Sequence, residues 1–228
     1  MICILTLLAS ASSRKFILIA AVLGFFSVPG RCQELFHITF DGYPFQAPGT
    51  SYFVREYSEF PLWFRPLGVI GPGNGFSHRG GGLWGFPENG TAYLAAASGD
   101  SLAFSFVDYY TDSTTFNLVS VDLAEYSTVV PDARTVPFVG YREDGSSVAA
   151  FFTTDGIIDG TGPLEDFQTF YFGPEFSNLT RVEVPTYGWS MDNLVIAIPE
   201  PSTGLLAVAG GLIMYFLRRR TDRLGRSR

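Results

Sequence analysis

The chain of 228 residues contains very little cysteine, histidine and lysine. Its two cysteines, Cys3 and Cys32, both precede residue 33, so the rest of the chain folds without an internal disulfide. The only lysine is Lys15, and the only histidines are His37 and His78. These shortages exclude sites built from cysteine or histidine pairs, and they exclude a phosphate-binding loop, which needs a lysine after its glycines.

Positive charge is scarce between Gln33 and Ile198. This region holds 20 of the 22 acidic residues but only 6 of the 15 basic ones, which leaves it with a net charge of −14. Such a surface repels a phosphate backbone, so the sequence predicts that the protein binds no nucleic acid. A strongly acidic surface instead suits solubility outside a cell.

Familiar catalytic arrangements are also missing. The sequence between Gln33 and Ile198 has no cysteine nucleophile and no "GxSxG" elbow. Carboxylate pairs such as Glu143-Asp144 and Glu165-Asp166 are typical of solvated turns. We therefore predict that the protein is not an enzyme, and a glycan-active enzyme is the less favoured alternative, since its two carboxylates need a separation that a sequence cannot give.

What the sequence does have is an all-β composition, with 16% aromatic residues, 22 Phe, 25 Gly and 14 Pro. Asp144-Gly145 predicts a tight hairpin between two of its apolar runs. About nine or ten short strands at this spacing predict a single β-sandwich or jelly roll over residues 33–198. The predicted strands are Leu35–Phe40, Thr91–Ala97, Ser101–Val107, Thr115–Tyr126, Thr135–Tyr141, Ser147–Thr153, Asp166–Phe172, Leu179–Val184 and Met191–Ile198.

Residues 1–32 have the organisation of a secretory signal peptide. Arg14 and Lys15 precede an apolar run from Phe16 to Phe26, and small or turn-forming residues follow it. The run is short for a membrane span, which needs about 20 apolar residues. We expect secretion, with an N-terminal membrane anchor as the alternative.

The stretch "PEPSTGLLAVAGGLIMYFLRRR" has three parts: the triplet Pro199-Glu200-Pro201, an uncharged helix over residues 204–217, and the cluster Arg218, Arg219 and Arg220. Arginines after a last membrane span stay in the cytoplasm, so the preceding domain would lie outside. This order of parts resembles a PEP-CTERM sorting signal, which the resemblance places at residues 199–228.

That resemblance implies a bacterial envelope protein whose Pro-Glu-Pro is recognised by an exosortase, a membrane-embedded processing enzyme. The tail would anchor the precursor in the membrane and then be removed, leaving the domain at the cell surface or in the extracellular matrix. Proteins with this signal are associated with exopolysaccharide and biofilm. A plain single-pass anchor is the alternative reading of the same residues.

The domain itself resembles the jelly-roll domains of bacterial surface proteins and carbohydrate-binding modules, through "FNLVSVDLAEY", "GYREDGSSV", "DFQTFYF" and "WSMDNLVI". In such modules, oxygen ligands near the first and last strands hold a structural Ca²⁺. The matching positions here are Asp41 and Asp192. Calcium takes six to eight oxygen ligands, and the alternative is that Asp192 and Asn193 are turn residues that bind backbone groups.

A glycine-rich stretch from Gly68 to Gly90 is predicted to be one long loop. Aromatic rings stack on sugars, while arginine and asparagine bind hydroxyl groups. The sequence therefore predicts a glycan site formed by Trp63, Asn74, His78, Arg79 and Trp84. The alternative is that both tryptophans cover the core. Two non-catalytic functions follow, namely exopolysaccharide binding or a structural surface spacer without a specific ligand.

Overall fold

The computed structural model describes residues 33–42, 47–67, 75–96, 102–106 and 115–199, which contain thirteen β-strands. The predicted signal peptide, Glu200, Pro201 and the arginine cluster lie outside these residues. The strands are β1 (Gln33–Ile38), β2 (Ser51–Val54), β3 (Tyr57–Glu59), β4 (Leu62–Pro66), β5 (Phe76–Arg79), β6 (Tyr93–Ala96), β7 (Leu102–Phe106), β8 (Asn117–Glu125), β9 (Thr135–Arg142), β10 (Ser147–Thr153), β11 (Gln168–Tyr171), β12 (Leu179–Val184) and β13 (Trp189–Pro199).

The strands form two antiparallel sheets. The seven-stranded sheet has the order β11-β8-β13-β6-β5-β2, with β1 also paired to β13. The six-stranded sheet has the order β10-β9-β12-β7-β4-β3. Strand β13 pairs first with β6 and then with β1 along the same side, and Asn193 marks the change with a φ of 45° at a register shift.

Alternating side chains of both sheets meet in one aromatic core. In β7, Leu102 and Phe104 are buried together, as their spacing predicts. Phe104 contacts Phe64 of β4 at a centroid distance of 5.2 Å and Phe116 at 6.3 Å. The prediction of an all-β sandwich is therefore confirmed for the described residues, and the Asp144-Gly145 hairpin joins β9 to β10 as expected.

The prediction that the glycine-rich stretch is one long loop is wrong, because this stretch contains strand β5. This strand pairs with β2 and β6, and it buries Phe76 and His78. Strands β2, β3 and β4 were not predicted either. They are only three to five residues long, which is too short to show a clear alternation of apolar and polar residues.

Loops cover the outer face of the seven-stranded sheet. Residues 80–92 and 154–167 cross it, and Asp166 joins them because its carboxylate accepts bonds from Glu88 N at 2.9 Å and Asp159 N at 2.9 Å. Phe167 packs edge-on against Tyr93 of β6 at 5.3 Å. We call this outer side, with Arg79, Tyr93, Ser190 and Asp192, the covered face.

The outer side of the six-stranded sheet is different. Its residues in β4, β9 and β12 that alternate with the core are half-buried or exposed. We call this side, with Trp63, Arg65, Tyr141, Arg181 and Glu183, the open face. Among the described residues, no helix is long and apolar enough to cross a membrane.

Candidate functional site

The structure does not bring the five residues of the predicted glycan site together. His78 lies between the sheets, where its side chain is fully buried and its ring centroid is 4.9 Å from that of Tyr57. His78 Nε2 is 2.5 Å from the carbonyl oxygen of Phe40. Burial lowers the pKa of His78 and so favours the neutral ring. His78 is thus a core residue and cannot contact a glycan.

Arg79 is also buried, but on the covered face. Its guanidinium lies 3.8 Å from the ring centroid of Phe86 and 4.3 Å from that of Tyr126. Nη1 donates to the carbonyl of Tyr126 at 3.1 Å. The arginine fixes the loop after β5 to the segment after β8, so the prediction that it binds hydroxyl groups of a glycan is wrong.

The two tryptophans lie on different layers. Trp84 is 86% exposed at a tight turn in which Phe86 N donates to Leu83 O at 3.2 Å, and Gly85 adopts the required positive φ of 82°. Trp63 is half-buried in β4 and belongs to the open face, because its neighbours on either side pack into the core. Asn74 lies outside the described residues.

Burial raises the pKa of Asp192, one of the two predicted metal ligands, to about 7. The charge of Asp41, the other predicted ligand, is a smaller cause that also raises it. Asp192 is fully buried in β13, and Asp41 follows β1.

The atoms around Asp192 do not fit a calcium ion. Its carboxylate is bonded by the side chains of Asn89 and Thr91 and by the backbone N–H of Asn193 at 2.7 Å. Asp41 Oδ1 accepts from Ala92 N at 2.9 Å. Hydrogen-bond donors thus occupy the positions that a cation would need. The described ranges also hold no group of three or more His, Cys, Asp or Glu that could bind a metal.

The open face presents a row of side chains that was not predicted from the sequence as one site. Strand registers place Trp63 beside Ser105, Ser105 beside Arg181, and Arg181 beside Tyr141. Three strand spacings separate Trp63 from Tyr141, which amounts to about 14 Å. The row therefore has an aromatic ring at each end and a cation between them.

Arg181 is held in place by its neighbours in this row. Its guanidinium lies 4.5 Å from the ring centroid of Tyr141, and Nη2 is 3.0 Å from Glu183 Oε1. Tyr141 donates its hydroxyl proton to Glu183 Oε2 at 3.0 Å, and this bond raises the pKa of Tyr141. The Arg181 side chain remains 41% exposed, and its Nε has no hydrogen-bond partner among the described residues.

This arrangement is suited to binding rather than to acid–base chemistry. The carboxylate of Glu183 accepts bonds from Arg181 and Tyr141, so both of its oxygens already have partners. Flat aromatic surfaces with a pre-oriented guanidinium match the alternating apolar and hydroxyl surfaces of a sugar chain. The sequence contained a signal for part of this row, because "RVEV" alternates polar and apolar residues and so places Arg181 and Glu183 on one side of β12.

A separate groove of about 430 Å³ lies at the edge of the seven-stranded sheet. It is lined by Gln33, Asn117, Tyr171, Pro174 and Ser177 among others, and Tyr171 is 73% exposed. Its volume is within the range of small-molecule pockets. Its described lining includes no charged side chain, so it lacks the oriented cation of the open face.

No family model matches the chain, and no curated protein matches it either. Among solved structures, it is similar to the family 11 carbohydrate-binding module of the cellulosomal cellulase Lic26A-Cel5E of Clostridium thermocellum. The identity is 9%, the TM-score is 0.29, and 74% of this chain and 95% of that one are covered. A family 11 module from Clostridium thermocellum in complex with a β-1,3-1,4-mixed-linked tetrasaccharide gives 10% identity, a TM-score of 0.27, and coverage of 70% and 94%. Similarities this distant carry no inference about the ligand of this chain.

Proposed function

We propose that this protein is a non-catalytic binding protein of the bacterial envelope, whose β-sandwich binds exopolysaccharide across its open face. The observation that carries the proposal is the row from Trp63 through Arg181 to Tyr141. A length of about 14 Å between the two rings fits several sugar units lying across the strands rather than a single ring.

The charge of the domain narrows the class of glycan. A net charge of −14 between Gln33 and Ile198 repels polymers rich in uronic acid or sulfate. Arg181 is already paired with Glu183, so it offers hydrogen-bond donors more than free positive charge. We therefore propose that the ligand is a neutral polysaccharide.

Export and sorting complete the proposal. Residues 1–32 direct secretion, and an exosortase recognises Pro199, Glu200 and Pro201, while Arg218 to Arg220 hold the precursor tail in the cytoplasm. Support comes from the three-part order of the tail. Intact-mass measurement of the protein from its native envelope tests this step. Loss of the residues after the Pro-Glu-Pro triplet is expected, and a mass that includes Arg228 would make the tail a plain anchor.

The glycan proposal is tested by affinity electrophoresis against neutral probes, namely mixed-linkage β-glucan, xylan and galactomannan, and against exopolysaccharide from the native envelope. We expect Trp63→Ala to abolish retardation and Tyr141→Ala to weaken it at least tenfold. Trp84→Ala is the matched tryptophan control, and Tyr171→Ala is the matched tyrosine control. Both should bind as the wild type does.

Each alternative predicts a different pattern. Loss of binding only in Trp84→Ala moves the site to the turn after β5, and loss only in Tyr171→Ala moves it to the groove. No retardation by any probe supports the structural spacer. Breakdown of a probe that one carboxylate substitution abolishes would show a glycan-active enzyme.

A further inference from the structure

Strand β10 is an edge of the six-stranded sheet, and none of the described strands pairs with its outer side. It pairs with β9 on one side, and its residues alternate between exposed and half-buried along all 7 residues. Residues 146–154 carry no charge and no proline, and Phe151 is 68% exposed. Exposed edges are normally blocked by a lysine, a proline, an inward-pointing charge or a bulge. This edge has none of these along its length.

Alternate residues of β10 direct their backbone N–H and C=O groups to opposite sides of the strand. Thr154 N donates to Arg134 O at 3.0 Å, and Arg142 N donates to Ser146 O at 3.0 Å. Even-numbered residues of β10 therefore direct their N–H and C=O groups toward β9. The odd-numbered residues, from Ser147 to Thr153, direct theirs away from the sheet.

We propose that β10 pairs with β10 of a second copy of this chain, antiparallel and about a two-fold axis at Ala150. The hydrogen-bonding phase requires odd residues opposite odd residues, and only an axis at Ala150 overlaps all 7 residues. Ser147 then lies opposite Thr153 of the second copy, and Ala149 lies opposite its Phe151. Four such pairs exchange about eight hydrogen bonds.

The side chains are self-complementary in this register. On the open-face side, the large exposed ring of Phe151 lies over the small Ala149 of the other copy. On the inner side, Val148 lies opposite Phe152, and both are already half-buried against the core. A two-fold interface needs one patch to match itself, and this strand does so.

The ends of the strand oppose the association. In this register Asp144 of the β9–β10 turn comes close to Asp155 of the second copy, and both carboxylates are exposed. Like charges at both ends weaken pairing at low ionic strength, and salt screens them. The dimer should therefore be tighter in 0.5 M NaCl than in 0.05 M NaCl, which is the opposite of an interface held by ion pairs.

A cysteine scan of the full chain in mild detergent, with Cys3 and Cys32 replaced by serine, tests the register. Ala150→Cys should give a disulfide-linked dimer on mild oxidation, because the two Cα atoms face each other across the axis. Ala149→Cys is the control. Ala149 is more exposed than Ala150. In this register, however, the Cα atoms of Ala149 in the two copies would be about 9 Å apart, so a disulfide could not bridge them. Equal cross-linking of both variants would overturn the register.

A pair of proline substitutions tests the association itself by sedimentation equilibrium. Ala149→Pro removes an N–H that faces the free edge, so it should abolish the dimer while the far-ultraviolet dichroism stays that of the wild type. Ala150→Pro removes an N–H bonded to β9 and should destabilise the fold. A wild-type chain that is monomeric up to 100 μM, or an Ala149→Pro variant that still dimerises, would overturn the proposal. Neither readout involves a glycan, so the result is independent of the proposed function.

Discussion

The two outer faces of the sandwich each contain an arginine stacked on a tyrosine, yet only one of these arginines is exposed. On the covered face, Arg79 lies between Phe86 and Tyr126 and is 2% exposed. On the open face, Arg181 lies over Tyr141 with 41% of its side chain exposed. The local contact is nearly the same, and the difference is the presence of the loops over residues 80–92 and 154–167.

This difference teaches that the type of contact does not define a binding site. The guanidinium of Arg79 and the rings of Phe86 and Tyr126 attach a loop to the sheet, so the surfaces of these groups are buried within the fold. At Arg181 one side of the same kind of cluster is still in contact with solvent. Whether an aromatic–arginine cluster stabilises the fold or binds a ligand depends on what covers it.

The largest expected effect concerns Asp192, which the covered face removes from water. Burial raises its pKa to about 7 from 3.8, so its folded pKa lies above its unfolded pKa. The contribution of Asp192 to the free energy of unfolding is fully present below about pH 4 and is lost as the pH rises through 7. Asp192→Asn stays neutral and should lack this loss. Between pH 4 and pH 8, the unfolding free energy of the variant should gain about 4 kcal/mol relative to the wild type.

Urea denaturation across that pH range measures the change, and comparison of variant with wild type cancels the titration of all other groups. Thr91→Val is a useful control, because it removes one hydroxyl bonded to Asp192 but keeps the buried carboxyl. Its pH profile should remain steep. A difference between Asp192→Asn and wild type that is flat with pH would show that the carboxylate is solvated.

Truncation of the two arginines should separate the faces directly. Arg79→Ala removes a desolvated contact with two rings and a charged hydrogen bond, so we expect a loss of about 3 kcal/mol in unfolding free energy. Arg181→Ala removes an ion pair in which the arginine is 41% exposed, and it should cost less than about 1 kcal/mol. Equal losses in denaturant titrations would contradict the distinction between the faces.

Much of the fold follows from sequence patterns. Strands β10 and β12 have the predicted bounds, because turn residues flank a short run of strand-forming residues in each case. Strand β5 was missed since four residues within a glycine-rich stretch give no periodic signal. Strand β5 forms because it pairs with β2 and β6. Both partners are only four residues long and lie in other parts of the sequence, so they give no clearer signal than β5 does.

The site was less predictable for a related reason. Trp63 was identified, but its partners Arg181 and Tyr141 come from β12 and β9, more than 70 residues later. Only the strand order of the six-stranded sheet brings them into one row. The prediction for His78 and Arg79 rests on residue type and on their place in the same glycine-rich stretch as Trp84, and neither property reports burial.

The proposed dimer sharpens the comparison, because joining two copies at β10 would place two open faces side by side on one continuous sheet. A long polymer could then contact both faces at once, whereas a short oligosaccharide could not. Ala149→Pro should lower the apparent affinity for the neutral polymer that the wild type retains at least tenfold, and leave the affinity for a short oligosaccharide of that polymer unchanged. Isothermal titration with both probes measures this. Equal losses for both would mean that the substitution disturbs the open face itself.

The smallest expected effect is also the most selective. Lysine keeps the charge of arginine but loses the planar group that stacks on a ring and donates in a fixed geometry. Arg181→Lys should therefore change the unfolding free energy by less than about 0.5 kcal/mol, since the site is exposed, yet weaken glycan binding several-fold. Arg79→Lys should do the reverse, with a clear loss of stability and unchanged binding once folded. If Arg181→Lys binds as well as the wild type, a positive charge is sufficient at this position, and the planar guanidinium is not part of the recognition surface.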